Sequence, residues 1–340
     1  MDAFGLTASG LREASARLGL PAFRGAQIAT GIWKPGVEGW ADVRGLPRDL
    51  AARLEAERPL IPGVEARRQE ASDGTVKSLL RLADGKLVEC VSIPLATRHT
   101  VCVSSQVGCA VGCSFCASGV NGVERDLTAA EIVWQVAFHH RRRPVTNVVF
   151  MGSGEPFFNF ANVSQAIRVL GDEEGLHLGR RRFTVSTSGV PERIRELGRT
   201  EPQVTLALSL HAPDDETRSR LVPLNRRWPI ADLMAAMRDY AGQVNRRITL
   251  EYVLLADANM SDAQALALAR LAREHHAHIN LIPFNPVGDS AHRRPTTAEV
   301  RHFAEQVVNH GGHATVRAQR GADIDAACGQ LRRREEANLP

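Results

Sequence analysis

Lysine is almost missing from this 340-residue chain: of its 42 lysines and arginines only Lys34, Lys77 and Lys86 are lysines, and the net charge is just +4. The cationic groups are therefore mostly guanidiniums, which grip phosphate in a bidentate fork, although an Ala/Arg-rich compositional bias accounts for the same count. Long apolar runs are missing too. No segment approaches the ~18 uncharged apolar residues of a membrane span, and the first twenty residues carry Asp2 and no continuous apolar stretch. The expectation is a cytoplasmic protein with neither membrane anchor nor secretory leader. The lack of repeats 20 to 50 residues long argues against a solenoid or propeller, and there is no low-complexity tract. A hydrophobic content of 44% over this length suffices for one large domain and a small one.

Six cysteines in a cytoplasmic chain point to metal or redox chemistry rather than a disulfide framework. Three of them stand as Cys109-x-x-x-Cys113-x-x-Cys116 in QVGCAVGCSFCASG. Iron–sulfur clusters are held by thiolates, and three thiolates on one loop can bind three irons of a cubane while the fourth stays open for chemistry. Zinc and a structural disulfide are the alternatives. Zinc normally takes four ligands in paired Cys-x-x-Cys units, and no second pair or His-x-x-x-His partner follows here. The spacing, with Phe115 before the last cysteine, resembles the radical S-adenosylmethionine (SAM) superfamily, in which the amino and carboxylate groups of the SAM methionine chelate the open iron.

The first ~65 residues have helix-like apolar periodicity, broken by Pro21, Pro35 and Pro47. Residues 74–93 alternate apolar and polar around Ala83-Asp84-Gly85 and read as a β-hairpin. Beyond the cysteine loop, short β-branched runs at 145–151, 183–186, 204–210, 248–255, 278–283 and 314–317 alternate with helical stretches. Three helices open with capping boxes, Thr128-x-x-Glu131, Ser261-x-x-Gln264 and Thr296-x-x-Glu299. Repeated strand–helix units imply a parallel sheet with right-handed crossovers. With the strand before the cysteines included, the count predicts an α/β fold, a partial (β/α)6 TIM-like barrel with chemistry on loops at the C-terminal strand ends. The expected boundaries are 1–65 for a helical accessory unit, 66–94 for a hairpin extension and 95–340 for the core.

Glycines in Met151-Gly-Ser-Gly-Glu-Pro156 let backbone approach a ligand, and Gly154 and Glu155 can offer a carbonyl and a carboxylate to an ammonium group. Ser186, the Ser209-Leu210-His211 run and Asn285 also follow strands. Each alone is more often a cap or turn residue; converging on one barrel mouth they suit a ribose, an adenine and a carboxylate. Cys90, in VECVSI, reads as a small core hydrophobe. The clustered arginines at 141–143, 180–182, 226–227 and 332–334 can contact phosphates, though each cluster singly suits a solvated face.

Taken together, HTVCVSSQVGCAVGCSFC, GEP, VSTSG, SLHAP, NLIPFNP and GADIDAACGQL, with FRGAQI and DGTVKSLL upstream, resemble in order the RlmN/Cfr family of radical-SAM rRNA adenine methyltransferases, from about Phe23 to Leu331. The resemblance implies a [4Fe–4S] cluster on Cys109, Cys113 and Cys116, with SAM bound by Gly154, Glu155, Ser186, Ser209, Leu210, His211 and Asn285. It also implies a two-cysteine route to a poorly nucleophilic aromatic carbon. Cys328 takes a methyl group from one SAM; a radical from a second SAM removes a hydrogen from that methyl, and the resulting carbon radical adds to the adenine. Cys102 then resolves the adduct through a transient disulfide with Cys328, and Glu89 matches the family's proposed proton acceptor. By the same resemblance the partners are 23S rRNA, with tRNA as a further candidate, and an electron donor such as flavodoxin; the enzyme is monomeric, and residues 1–65 correspond to an RNA-binding unit. The loop ASGVNGVERDL after Cys116 and the GEPFFN ending depart from better-known members. The fuller N-terminal region and Arg320-Gly321 favour methylation of adenine carbon 2 over carbon 8.

Overall fold

The computed structural model describes residues 2–286, 291–318 and 320–324. Three helices come first: α1 (Ala8–Arg17), α2 (Ala22–Gly31) and α3 (Arg48–Glu57). Four antiparallel strands follow, β1 (Gly63–Glu70), β2 (Val76–Leu82), β3 (Leu87–Pro94) and β4 (His99–Val103). The hairpin expected from 74–93 is thus β2–β3, embedded in a larger sheet. β1 lacked a sequence signal because GVEARRQE is charged and largely exposed, as suits an edge strand.

The cysteine loop is flanked by β5 (Gln106–Gly108) and β6 (Val123–Asp126), a small two-stranded sheet of its own. The chain then alternates through α4 (Ala129–His140), β7 (Asn147–Phe150), α5 (Phe160–Leu170), β8 (Phe183–Thr187), α6 (Pro191–Thr200) and β9 (Thr205–Ser209). After it come α7 (Asp215–Leu221), α8 (Ile230–Val244), β10 (Thr249–Leu254), α9 (Asp262–Glu274), β11 (His278–Pro283), α10 (Thr297–Asn309) and β12 (Ala314–Val316). All three expected capping boxes are formed, at the starts of α4, α9 and α10.

The strand order β1-β2-β3-β4-β7-β8-β9-β10-β11-β12 is antiparallel as far as β4 and parallel from β4 to β12. Six strand–helix units from β4 to α10 make the expected (β/α)6 core, and β12 adds a closing strand. Since β1 and β12 stand at opposite ends of the order, the barrel is open on one side.

Buried parallel strands usually read as continuous apolar runs; these alternate. Val101, Val148, Val185, Leu206, Leu250 and Ile279 face outward and are buried under helices, each contributing roughly 1.5–3 kcal/mol. Thr184, Ser186, Ser209 and Asn280 occupy the alternate positions and face the lumen only partly buried. A hollow lumen explains the polar set. The N-terminal helices share the core under α4 and α5: Phe4 packs edge-on to Trp33 at 5.3 Å, and Leu11, Ile28 and Ile32 join Trp134 in one apolar cluster.

Candidate active site

The three cysteines follow β5 and line one cavity of about 140 Å³ at the C-terminal ends of the strands. Tight hydrogen bonds shape their loop: Cys109 N–H donates to Gly122 O at 2.9 Å, Cys116 N–H to Cys113 O at 3.1 Å and Ser114 N–H to Leu221 O at 3.0 Å. Burial and the neighbouring thiols push Cys109 up to about 12 and Cys113 well above its ordinary value, so these groups are protonated until a metal displaces the protons.

A second loop, 151–156, closes the floor. Ser153 O accepts from Ser105 N–H at 2.8 Å and Gln106 N–H at 3.2 Å, and Ser153 Oγ donates to Gly108 O at 3.0 Å. Position 154 demands glycine: its φ is +107°, and a Cβ there would lie 2.7 Å from Gln106 N. Next to it Glu155, 2% exposed, accepts from Thr187 Oγ1 at 2.6 Å, Ser188 N–H at 2.7 Å and Phe157 N–H at 3.0 Å. Burial raises its carboxyl above the ordinary value, and these three donors oppose the rise.

Ser186 and Ser209 are paired through their hydroxyls at 3.0 Å, and both line the cavity with His211. His211 has the left-handed φ of +61° and accepts from Val253 N–H through Nδ1 at 3.1 Å. That bond places the ring proton on Nε2. Desolvation first, then Arg218, lowers its imidazole to about 3, so it is a neutral donor, with its ring edge-on to Phe115 at 4.9 Å.

Two further expected ligands do not themselves line this cavity. Leu210 is fully buried in the main core, its N–H donating to Glu251 O and its carbonyl accepting from Arg218 Nε at 3.0 Å. Asn285 lines an adjoining hollow of about 330 Å³ with Thr100, Val149, Thr184 and Arg317, and its buried Oδ1 has no hydrogen-bond partner among the described residues.

Cys102 lies on the lumen side of β4, in register with Val91 and Val149. It is 8% exposed and packs among Ile93, Val149 and Met151. Met151 borders the cysteine-lined cavity, whereas Ile93 and Val149 border the adjoining hollow; Cys102 stands between the two. Glu89, equally buried, pairs with Lys77 Nζ at 3.4 Å and lines a small recess against Ala117 and Ser118 of the cysteine loop. Cys328 lies outside the described residues, as do Arg332 to Arg334. Cys90 is a core residue, its Sγ 3.3 Å from His139 Nε2.

Sequence reasoning passed over the residue that braces the whole mouth. Arg218 on α7 is completely buried and donates to Leu210 O, Ser188 O at 2.6 Å, Ser209 O at 3.1 Å and Asn225 Oδ1 at 2.7 Å, tying the ends of β8 and β9 together. Glu251, buried with Asn280 Nδ2 at 2.9 Å, was also unforeseen. A lone cation in a seven-residue helix and an acid within a strand have no local signature; only the lumen-facing register of β10 exposes Glu251's role. The expected arginine clusters are partly spent on the fold. Arg142 stacks on Phe138 at 4.0 Å and pairs with Glu65, and Arg143 donates to Leu95 O.

Residues 103–269 match the Radical SAM superfamily. A crystal structure of a radical SAM methyltransferase from Sphaerobacter thermophilus superposes with a TM-score of 0.92, 47% identity and 97% and 98% coverage of the two chains. A Halorhodospira halophila protein, "Dual-specificity RNA methyltransferase RlmN", is 46% identical over 92% of this chain and 88% of its own. A Desulfitobacterium hafniense protein named "Probable dual-specificity RNA methyltransferase RlmN" is 44% identical over 99% of this chain and 97% of its own.

The chain belongs to the RlmN family of radical SAM methyltransferases.

The cofactors of an RlmN enzyme are a [4Fe–4S] cluster and SAM, and the residues suit them. All three thiols belong to one loop and line one cavity, which suits a cluster in which each thiolate meets its own iron. Beside the thiols, the paired serines, neutral His211 and Glu155 provide the donors and acceptors of a nucleoside and amino-acid pocket. Among the described residues no helix is long and apolar enough to cross a membrane.

Proposed function

We propose that this enzyme methylates carbon 2 of an adenine in 23S rRNA, and in tRNA as a second substrate, through a methyl-carrying Cys328 and a transient Cys102–Cys328 disulfide. The carrying observation is the position of Cys102, a buried thiol between the cysteine-lined cavity and the adjoining hollow. The bound cofactors supply a transferable methyl group and, on one-electron reduction, a hydrogen-abstracting radical.

The chain's own residues do the rest. Cys109, Cys113 and Cys116 hold the cluster; the Glu155 carboxylate and Gly154 carbonyl receive the SAM amino group, while Ser186, Ser209, His211 and Asn285 meet its sugar, base and carboxylate. Leu210 contributes through its backbone, since its side chain is in the core. Cys328 takes the methyl group as a thiolate nucleophile. Once the base is joined to that carbon, Glu89 accepts the adenine's ring proton, and the Cys102 thiolate attacks the Cys328 sulfur. The S–C bond breaks, its electron pair takes up a proton to complete the new methyl group, and the disulfide forms; the single electron left by the radical addition would return to the bound cluster. Lys77 Nζ stands 3.4 Å from the Glu89 carboxylate, a charged neighbour that helps hold its side chain in place.

RNA reaches this mouth through residues 1–65, acting as an accessory unit on a core that begins near residue 95, with 66–94 between them. Phe23 on α2 is 55% exposed with the Arg24 guanidinium 4.6 Å from its ring centre, the aromatic–arginine pairing on which bases stack. An unpaired adenine is the target, because a stacked base hides its ring edge. The protein works as a cytoplasmic monomer fed by an electron donor such as flavodoxin.

Mass spectrometry of adenosines from 23S rRNA and tRNA, after incubation with reconstituted enzyme, reductant and SAM, tests the reading. New 2-methyladenosine supports it, 8-methyladenosine alone moves the chain to the other position, and no methylated adenosine overturns it. Cys328→Ala is expected to abolish methyl loading, whereas Cys102→Ala traps RNA on the protein.

A further inference from the structure

The incomplete barrel leaves a gap between β12 at one end of the sheet and the β1–β2 hairpin at the other. The chain leaving β12 bridges that gap. Arg317 N–H, donating to Leu281 O at 2.8 Å, fixes its start. At its far end Asp73, in the turn between β1 and β2, accepts from Gly321 N–H through Oδ2 at 3.3 Å, and the Arg320 guanidinium lies 3.6 Å from the same oxygen. Asp73 Oδ1 meanwhile caps Thr75 N–H at 2.9 Å, holding the carboxylate in place. The tie is reciprocal: Asp323 Oδ2 accepts from Ser72 N–H at 3.0 Å. Arg98 and Thr100 on one side and Arg317 and Arg320 on the other wall the hollow behind this bridge.

We propose that Asp73 and Asp323 form a latch that holds the arm 317–324 across the open side of the barrel, making them positioning residues that set the reach of Cys328. The inference rests on the two-cysteine reading above. Cys328 follows Ile324 by four positions, a span of at most ~14 Å. Val76, beside the latch turn, is in register with Ser92, and Ser92 with Val101, next to Cys102; two strand spacings are ~10 Å. A latched arm therefore keeps Cys328 within chain reach of Cys102. Without the latch the start of the chain toward Cys328 is no longer fixed, and both thiol steps lose their pre-set geometry.

The test uses reconstituted holoenzyme carrying Asp73→Ala, Asp323→Ala, both together, or Asp73→Asn. The turn is at the surface, so these variants are expected to fold. Single-turnover methyl loading of Cys328, followed by peptide mass spectrometry, is expected to fall about 10-fold in each alanine variant and further in the double, with the KM for SAM unchanged. Asp73→Asn, whose one acceptor oxygen cannot serve both Thr75 N–H and Gly321 N–H, is expected to fall between the parent and Asp73→Ala. Hydrogen exchange over 320–324 is expected to rise most in the alanine variants. Unchanged loading in those variants, with normal loading in the parent, overturns the latch. Absence of methyl on Cys328 in the parent overturns the two-cysteine reading and the positioning role with it, while exchange still reports whether the arm was tied.

Discussion

On the outer face of the parallel strands Val101, Val148 and Leu250 vanish beneath helices, whereas on the lumen face Thr184, Ser186 and Ser209 of those or neighbouring strands remain partly open. The outer face is held by area, so any well-fitting apolar residue serves. The lumen face is held by named hydrogen bonds: Ser186 to Ser209, Asn280 to Glu251, and Arg218 to three backbone carbonyls. Stability and chemistry are thereby divided between two sides of a single sheet.

The sharpest way to separate the two sides is Cys113→Ala. Turnover is expected to fall more than about 1,000-fold with loss of bound iron, measured by iron assay, while the thermal midpoint of the apoprotein stays close to the parent's. Arg218→Met blurs the division by design. Removing a fully buried guanidinium orphans its acceptors, and a loss of about 3 kcal/mol in urea unfolding is expected, together with activity. Leu208→Ala on the outer face is expected to cost a similar ~3 kcal/mol, yet the folded fraction should turn over within about 3-fold of the parent. Were its turnover lost in proportion to Arg218→Met, the division of labour would fail. Ser186→Ala is expected to change stability by less than about 1 kcal/mol while raising the KM for SAM several-fold.

The smallest effect is a pH dependence. Burial raises the Glu251 carboxyl above its ordinary 4.5, with Arg317 and Asn280 opposing. The neutral acid is thus favoured in the folded apoprotein, and the stability it contributes is present below about pH 4.5 and lost as pH rises through the raised value. Glu251→Gln should raise the apoprotein's thermal midpoint at pH 7, by roughly 2–4 °C for each ~1 kcal/mol recovered, and leave it unchanged at pH 4. A midpoint difference independent of pH would assign the effect to packing instead.

Much of this was legible in residue order. The alternation of β-branched runs with capped helices predicted each strand from β7 to β12 to within a few residues, because those signals are local and periodic. The cysteine spacing marked the loop for the same reason. Illegible were β1, whose charged residues carry no strand pattern, and Arg218, which reads as one more surface cation. Leu210 was expected beside the cofactor on the strength of its neighbours Ser209 and His211; alternation along the chain puts its side chain in the core instead. The arginines at 141–143 were expected to be available for phosphate, and the structure gives Arg142 and Arg143 to Glu65, Phe138 and Leu95.

By itself the order of residues determined the chemistry this protein handles and the secondary structure that carries it, since thiolate spacing, capping boxes and strand periodicity act over a few residues. Only the tertiary structure decided which polar residues share the lumen, placed Cys102 between two cavities, buried Arg218 under the mouth and brought Asp73 to the arm 320–324. Those are contacts between residues as many as 251 positions apart in the sequence, and nothing in a local pattern can encode which strands end up side by side when a sheet curls.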